Sequence, residues 1–274
     1  MTTTWLQAPL AAGSSVIRRR WVAPPLPREH GVWAWLLLPL VAGGAAAGSV
    51  NPPLLLLTIG SLAAYVVRSP LEMALRQPAQ RRAHLAWAGL YAIVALLALA
   101  PLLLYYNRWG LMPLGAMEAA IALPVLLSRR LRYRWRAQGE LLVVAGLSLL
   151  APIAYHAATG DFDARAAALW LPPALYGAGS IFYVRMLFEH RRSGAGTRSA
   201  IVPYLAVAWV AIGVGALSGL LPALTPVAFL PATLKIALAL ARRTAVDNVR
   251  RTGIGEVAHA GLFAALLVVA FAFE

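Results

Sequence analysis

Long apolar stretches alternate along the chain with short breaks rich in Arg, Gly and Pro. Nine apolar blocks result: Gly31–Val50, Pro53–Val67, Leu85–Tyr106, Trp109–Ser128, Glu140–Ala157, Ala166–Phe188, Ile201–Leu220, Pro222–Leu240 and Glu256–Phe273. A helix of about twenty residues, rising about 1.5 Å per residue, crosses the hydrocarbon core of a bilayer. The pattern therefore predicts an all-α polytopic transmembrane bundle of about nine helices. Asn51-Pro52 is a turn signal between blocks one and two. Blocks seven and eight divide only at Leu220–Pro222.

Charge orients the bundle. With the N-terminus in the cytoplasm, every arginine but Arg108 and Arg165 falls on the cytoplasmic side, as the positive-inside rule requires. One helix more or fewer would scramble the later loops, so the arginines support the count of nine. The chain then reads as one transmembrane domain, residues 1–274. It comprises a cytoplasmic segment (1–30), a first four-helix half (31–128), a second half (129–241), and a loop with a ninth helix (242–274). Met1–Val16 lacks an apolar core followed by a cleavage site, so the first block is expected to act as an uncleaved anchor.

Composition narrows the function classes. Hydrophobic residues make up 61% and charged residues 12%, too apolar for a soluble domain of this size. The net charge of +14 comes in clusters at alternate helix ends, which reads as topology and not as nucleic-acid binding. Even the run Arg129–Arg136, with Tyr133 and Trp135 interleaved, fits a juxtamembrane anchor for anionic lipids better than an RNA surface. The absence of cysteine excludes disulfides, thiolate metal sites and thiol catalysis. His84, His156, His190 and His259 are scattered, and no zinc, Walker, dinucleotide or G-x-S-x-G motif appears.

Two short matches suggest an internal repeat. Val67-Arg68-Ser69-Pro70-Leu71-Glu72-Met73 parallels Val184-Arg185-Met186-Leu187-Phe188-Glu189-His190, at the cytoplasmic ends of blocks two and six. Arg28-Glu29-His30-Gly31 stands against Arg136-Ala137-Gln138-Gly139 at the entries to blocks one and five. A pseudo-twofold axis along the membrane normal would bring the ends of blocks two and six to face each other. Arg68, Glu72 and Arg76 share one helical face, and Arg185, Glu189 and Arg192 form a similar stripe. Such stripes fit a solvated helix end with local salt bridges. Facing each other, they also form an anion-binding mouth, because the forked guanidinium donors match phosphate or carboxylate.

Further candidates lie nearby. Arg28, Glu29 and His30 precede Trp33 and Trp35 at the membrane mouth. Glu118 lies near the middle of block four, and an intramembrane carboxylate normally faces a partner or the bundle interior. Lys235, the single lysine, is its expected cationic partner. Arg250 and Arg251 lead into a glycine-containing turn, with Glu256 opening block nine at the positive end of its helix dipole.

Three segments then carry a family resemblance. Pro27–Trp35 (PREHGVWAW), Arg68–Arg76 (RSPLEMALR) and Arg250–Val257 (RRTGIGEV) resemble the YwiC-like bacterial membrane proteins. That resemblance implies a multi-pass protein of the bacterial plasma membrane. The architecture also resembles the UbiA-type intramembrane prenyltransferases, which carry aspartate-rich motifs in the loops after helices two and six. In those enzymes the aspartates hold Mg²⁺, the metal holds the diphosphate of a polyprenyl donor, and the apolar tail lies among the helices. Here the two loops have no aspartate and one carboxylate each, Glu72 and Glu189.

The resemblance implies an anionic isoprenoid or lipid head bound by Arg28, Arg68, Arg76, Arg185 and Arg192. Glu72 and Glu189 would hold Mg²⁺ or position the arginines. Glu29, His30 and Glu256 complete the set of candidate catalytic residues. A proton-coupled transporter or lipid-moving protein using Glu118 is the alternative, and a non-catalytic membrane scaffold is the third.

Overall fold

The computed structural model describes residues 30–127, 136–193 and 200–274, with Pro24 and Leu26; side chains are described over 33–121, 138–191 and 200–274. The described residues are helical, joined by turns. In order they are α1 (His30–Ala46), α2 (Pro52–Arg76), a 3₁₀ turn (Pro78–Gln80), α3 (Arg81–Leu104) and α4 (Leu111–Leu127). Then follow α5 (Arg136–Ser148), α6 (Leu150–Thr159), α7 (Ala164–Ala168), α8 (Leu171–Ser193), α9 (Ile201–Leu217), α10 (Thr225–Ala241) and α11 (Val249–Ala272).

Each apolar block contains a helix, and two blocks are interrupted. The fifth crossing is α5 followed by α6, and the sixth is α7 followed by α8. Proline explains both breaks. Pro152 offers no N–H to the turn around Leu149, and Pro172 and Pro173 open α8 where their missing donors cost least. Five of the crossings are long and apolar enough to span a bilayer, and four shorter apolar helices complete the set of nine among the described residues. Their outward faces carry exposed leucine and valine, for example Leu96 and Leu97 on α3 and Val207, Val210 and Val214 on α9. Such continuous apolar exposure suits lipid and not water. The chain is a multi-pass membrane protein.

Several helix ends differ from the sequence expectation. α2 does not stop at Val67 but continues through Pro70 to Arg76, so the R-S-P-L-E motif is helical and not a loop. Asn51 caps this helix, its Oδ1 accepting from Leu54 N at 3.1 Å. α11 begins at Val249, capped by Asn248, which accepts from the amides of Arg250 and Arg251. Arg250–Glu256 is therefore the start of a helix and not a glycine turn. In both cases polar residues extend a helix beyond its apolar stretch, and hydropathy alone does not see them.

α1 stands at the centre, packed on α5, α6 and α11. The two expected halves thus interlock. α2 forms a hairpin with α3 and leans on α6, while α4 packs on α5 and α6. α8 packs on α5, α9 and α10, and α10 packs on α11. At the end of the bundle away from Arg68, Arg165 pairs with Glu274, so the end of α11 lies beside Arg165.

The close approach of α1 and α6 depends on Gly43. A Cβ there would collide with the Ala151 carbonyl and Ala154 Cβ, backbone-level contacts that cannot step aside. Gly43→Ala should destabilise the detergent-purified protein by about 1–3 kcal/mol through overpacking. Gly261→Ala, whose Cβ meets nothing within 4 Å, should melt at or above wild type. Equal melting curves for wild type and Gly43→Ala would refute this contact.

Candidate functional site

Because α4 packs on α5 and α6 and not closely on α2 or α3, a crevice of about 750 Å³ remains between the α2–α3 hairpin and α4. Its walls are mostly apolar, with Leu36, Leu57, Leu99, Leu102, Val143 and Ile153 among them. Its polar lining is Ser61, Tyr65, Arg68, Glu118 and Glu140.

Helix geometry sets the depth of these groups. Asn51 Nδ2 donates to the Ala158 carbonyl at 2.9 Å, and Arg108 Nε donates to the Ala157 carbonyl at 3.2 Å. Both contacts tie the outer ends of α2 and α4 to the end of α6. Measured from that level, Arg68 stands roughly 24 Å along α2 and Glu140 roughly 27 Å back along α6 and α5. Glu118 stands only roughly 10 Å along α4. Arg68 and Glu140 therefore share one mouth of the crevice, at the arginine-rich end of the bundle, and Glu118 lies well inside.

At the mouth the arginines are held by carboxylates. Arg68 Nε donates to Glu72 Oε1 at 2.8 Å, and Arg76 reaches Glu72 Oε2 at 3.5 Å. The first stripe is thus a paired helical face. The second differs from expectation, because Arg185 reaches across to Glu140 on α5, at 3.0 Å. Glu189 is exposed on α8. α2 and α8 do not pack closely on each other; each packs on the α5–α6 crossing instead. Glu140 lines the same crevice as Arg68 and binds Arg185, and so brings the second stripe to the crevice. Glu140 was not singled out from sequence, although a lone carboxylate opening an apolar block was the available signal.

Arg28 and Glu29 lie outside the described residues, as do the side chains of His30 and Arg192. The aromatic partners of the first motif are placed. Trp33 meets Tyr65 edge-on at 6.3 Å, and Trp35 lines the crevice against Tyr176 at 6.0 Å.

A magnesium site does not fit these residues. Glu72 sits between two guanidiniums, whose charge opposes a further cation. Among the described residues no group of three or more His, Asp or Glu converges on one point.

The expected Glu118–Lys235 pair is corrected. Lys235 Nζ lies 2.7 Å from Glu256 Oε1, both side chains largely buried. Ser180 Oγ donates to Glu256 Oε2 at 2.5 Å, and the ammonium sits 4.3 Å from the Tyr183 ring centroid. The physical reason is the early start of α11. Glu256 does not open that helix but lies inside it, facing α10 and α8. Glu118 belongs to α4, on the other side of the bundle, and none of the described residues hydrogen-bonds or ion-pairs with it.

The segment that walls the crevice also carries the family signal. Residues 26–155 match the model of the YwiC-like protein family. The YwiC-like segment contains the Pro27–Trp35 and Arg68–Arg76 motifs, and among the described residues it supplies the crevice lining apart from Ile181. The Lys235–Glu256 cluster and the Arg250–Val257 motif lie beyond it. No curated protein and no solved structure matches the chain.

The Lys235–Glu256 pair yields a stability prediction. Removing one partner leaves a buried charge, so Lys235→Met and Glu256→Gln should each lose about 3 kcal/mol. The Lys235→Met/Glu256→Met double variant should recover most of that loss. Thermal unfolding in detergent reads all three. Additive losses in the double variant would mean the two residues act independently.

Proposed function

We propose that the protein binds a lipid-like ligand with an anionic, phosphate-bearing head, its apolar chain in the crevice and its head at the cytoplasmic mouth. The single observation that carries this reading is the large apolar crevice with Arg68 at its inner end. An isoprenoid phosphate or diphosphate, or another acidic lipid, has that chemistry. The proposed setting is the bacterial plasma membrane, in keeping with the multi-pass fold.

Charge balance at the mouth supports the idea. Arg68–Glu72 and Arg185–Glu140 are half-exposed pairs, each worth about 1 kcal/mol or less. A doubly charged phosphate can displace such carboxylates from the guanidinium forks. Until it does, Glu72 and Glu140 keep the forks oriented, which lowers the ordering cost of binding. This assigns Glu72 a positioning role, and it assigns Glu256 to the bundle core and not to the mouth. The arrangement parallels the UbiA-type resemblance in placing polar groups at the inner ends of the second and sixth crossings. In a transferase, such fixed cations would stabilise a departing diphosphate. In a scaffold they would only hold the lipid.

The test is native mass spectrometry of the protein purified in mild detergent. Wild type should carry a stoichiometric phosphate-bearing lipid, and the Arg68→Gln/Arg185→Gln variant should lose it. Ala64→Trp, which fills the crevice while leaving the arginines, should lose it too. A lipid held equally by all three proteins would reduce the arginines to topology and anchoring.

The same crevice would serve a carrier, which moves its ligand across and does not retain it. Proteoliposomes distinguish the two. Net movement of a labelled lipid phosphate between leaflets, above that of empty vesicles, supports the carrier. A rate equal to empty vesicles, with binding retained, supports the holder.

A further inference from the structure

We infer that Glu118 recognises a second polar group on the bound ligand, a hydrogen-bond donor carried roughly 14 Å from the phosphate. This rests on the reading of the crevice as the ligand site. It adds a substrate class: a lipid phosphate substituted along its chain with a hydroxyl or an ammonium, and not a plain hydrocarbon tail.

The argument begins with position. Glu118 lines the same crevice as Arg68 and Glu140, but roughly 14 Å further in, about the depth of one leaflet's hydrocarbon. Its surroundings there are Leu111, Met112, Gly115 and Ala119 from its own helix and Leu99, Leu102 and Leu103 from α3. Ser61 of α2 lines the crevice at a similar depth but makes no hydrogen bond to Glu118, and the rest of this wall offers a carboxylate nothing to bind.

The other described carboxylates at the mouth and in the core are engaged. Glu72 has two arginines, Glu140 has Arg185, and Glu256 has Lys235 and Ser180. Glu118 alone of this group has no hydrogen-bonding or charged partner among the described residues. An isolated polar group facing hydrocarbon is costly, and membrane proteins keep one where something else completes it. The single lysine is already committed elsewhere, and none of the described residues supplies a countercharge. A donor brought by the ligand completes the site. Its distance from the phosphate is fixed by the two helices that carry Arg68 and Glu118.

Selectivity follows. A plain chain would strand the carboxylate beside methylenes, while a chain with a donor at the right depth satisfies it. A hydrogen bond to a charged group is worth enough to favour the substituted chain by about tenfold or more.

The test uses three synthetic probes in nanodiscs holding the full chain: an unsubstituted alkyl phosphate, and the same chain with a hydroxyl or an amine roughly 14 Å from the phosphorus. Wild type should prefer one or both substituted probes about tenfold over the plain one. Glu118→Leu should abolish that preference while leaving the plain probe bound. Glu118→Gln, which keeps a hydrogen-bond acceptor but no charge, separates the two donors. It should retain a preference for the hydroxyl probe and lose one for the amine.

Equal binding of all three probes to wild type, with the plain probe still dependent on Arg68 and Arg185, overturns the inference about Glu118 alone. A plain probe that binds neither wild type nor variant, or binds without regard to the arginines, overturns the crevice reading beneath it.

Discussion

Hydrocarbon offers no hydrogen bonds, so each backbone amide of a crossing segment must find its partner within the protein. The architecture answers to that constraint. Helices are the local solution, and proline is the recurrent difficulty. Pro39, Pro70, Pro101 and Pro231 are carried inside helices, while Pro152, Pro172 and Pro173 coincide with the two interrupted crossings. Those interruptions matter to the site. The break between α5 and α6 lies on the crossing that presents Glu140 to the mouth, and the start of α8 leads to Ser180 and Arg185. Packing around α1 then fixes the rest, with Gly43 letting α6 approach it.

The same absence of water ranks the charged groups. At the mouth, where water reaches, Arg68, Glu72, Arg185 and Glu140 form half-exposed pairs that exchange partners at little cost. In the core, Lys235 and Glu256 are buried together, bridging α10 and α11, with Ser180 of α8 completing the carboxylate. That pair behaves as a cross-link, since breaking it leaves a charge with no solvent. Glu118 falls between these cases, inside the membrane but facing an open crevice. One side chain type thus serves three purposes, and depth and neighbours decide which.

The nine crossings were legible in the sequence because hydrophobic length and arginine placement are both one-dimensional signals. Helix ends were less so. The residues from Arg68 to Arg76 and from Val249 to Gly255 are polar or mixed, yet they continue helices begun by apolar or capping residues. Partner choice was the least legible. Arg185 and Glu189 are neighbours on a helical face, but Arg185 turns to Glu140 on another helix. As the single lysine, Lys235 is the obvious match for Glu118, whereas tertiary packing gives it Glu256. Spacing along a chain reports which residues share a face. It does not report which helix that face will meet, and α5–α6 standing between α2 and α8 is a property of the whole bundle.

Under the proposed lipid-binding reading, the opening between the α2–α3 hairpin and α4 decides how the crevice fills. A chain-bearing ligand reaches it sideways from the acyl region, without passing through the aqueous phase. The quantity that sets occupancy is then the mole fraction of that ligand in the leaflet, and its bulk concentration is irrelevant. Diluting the ligand with other lipids lowers occupancy even when the total amount per volume is unchanged. For such a ligand the membrane around the protein is the reservoir, and the make-up of the adjoining leaflet becomes the input that the crevice would read.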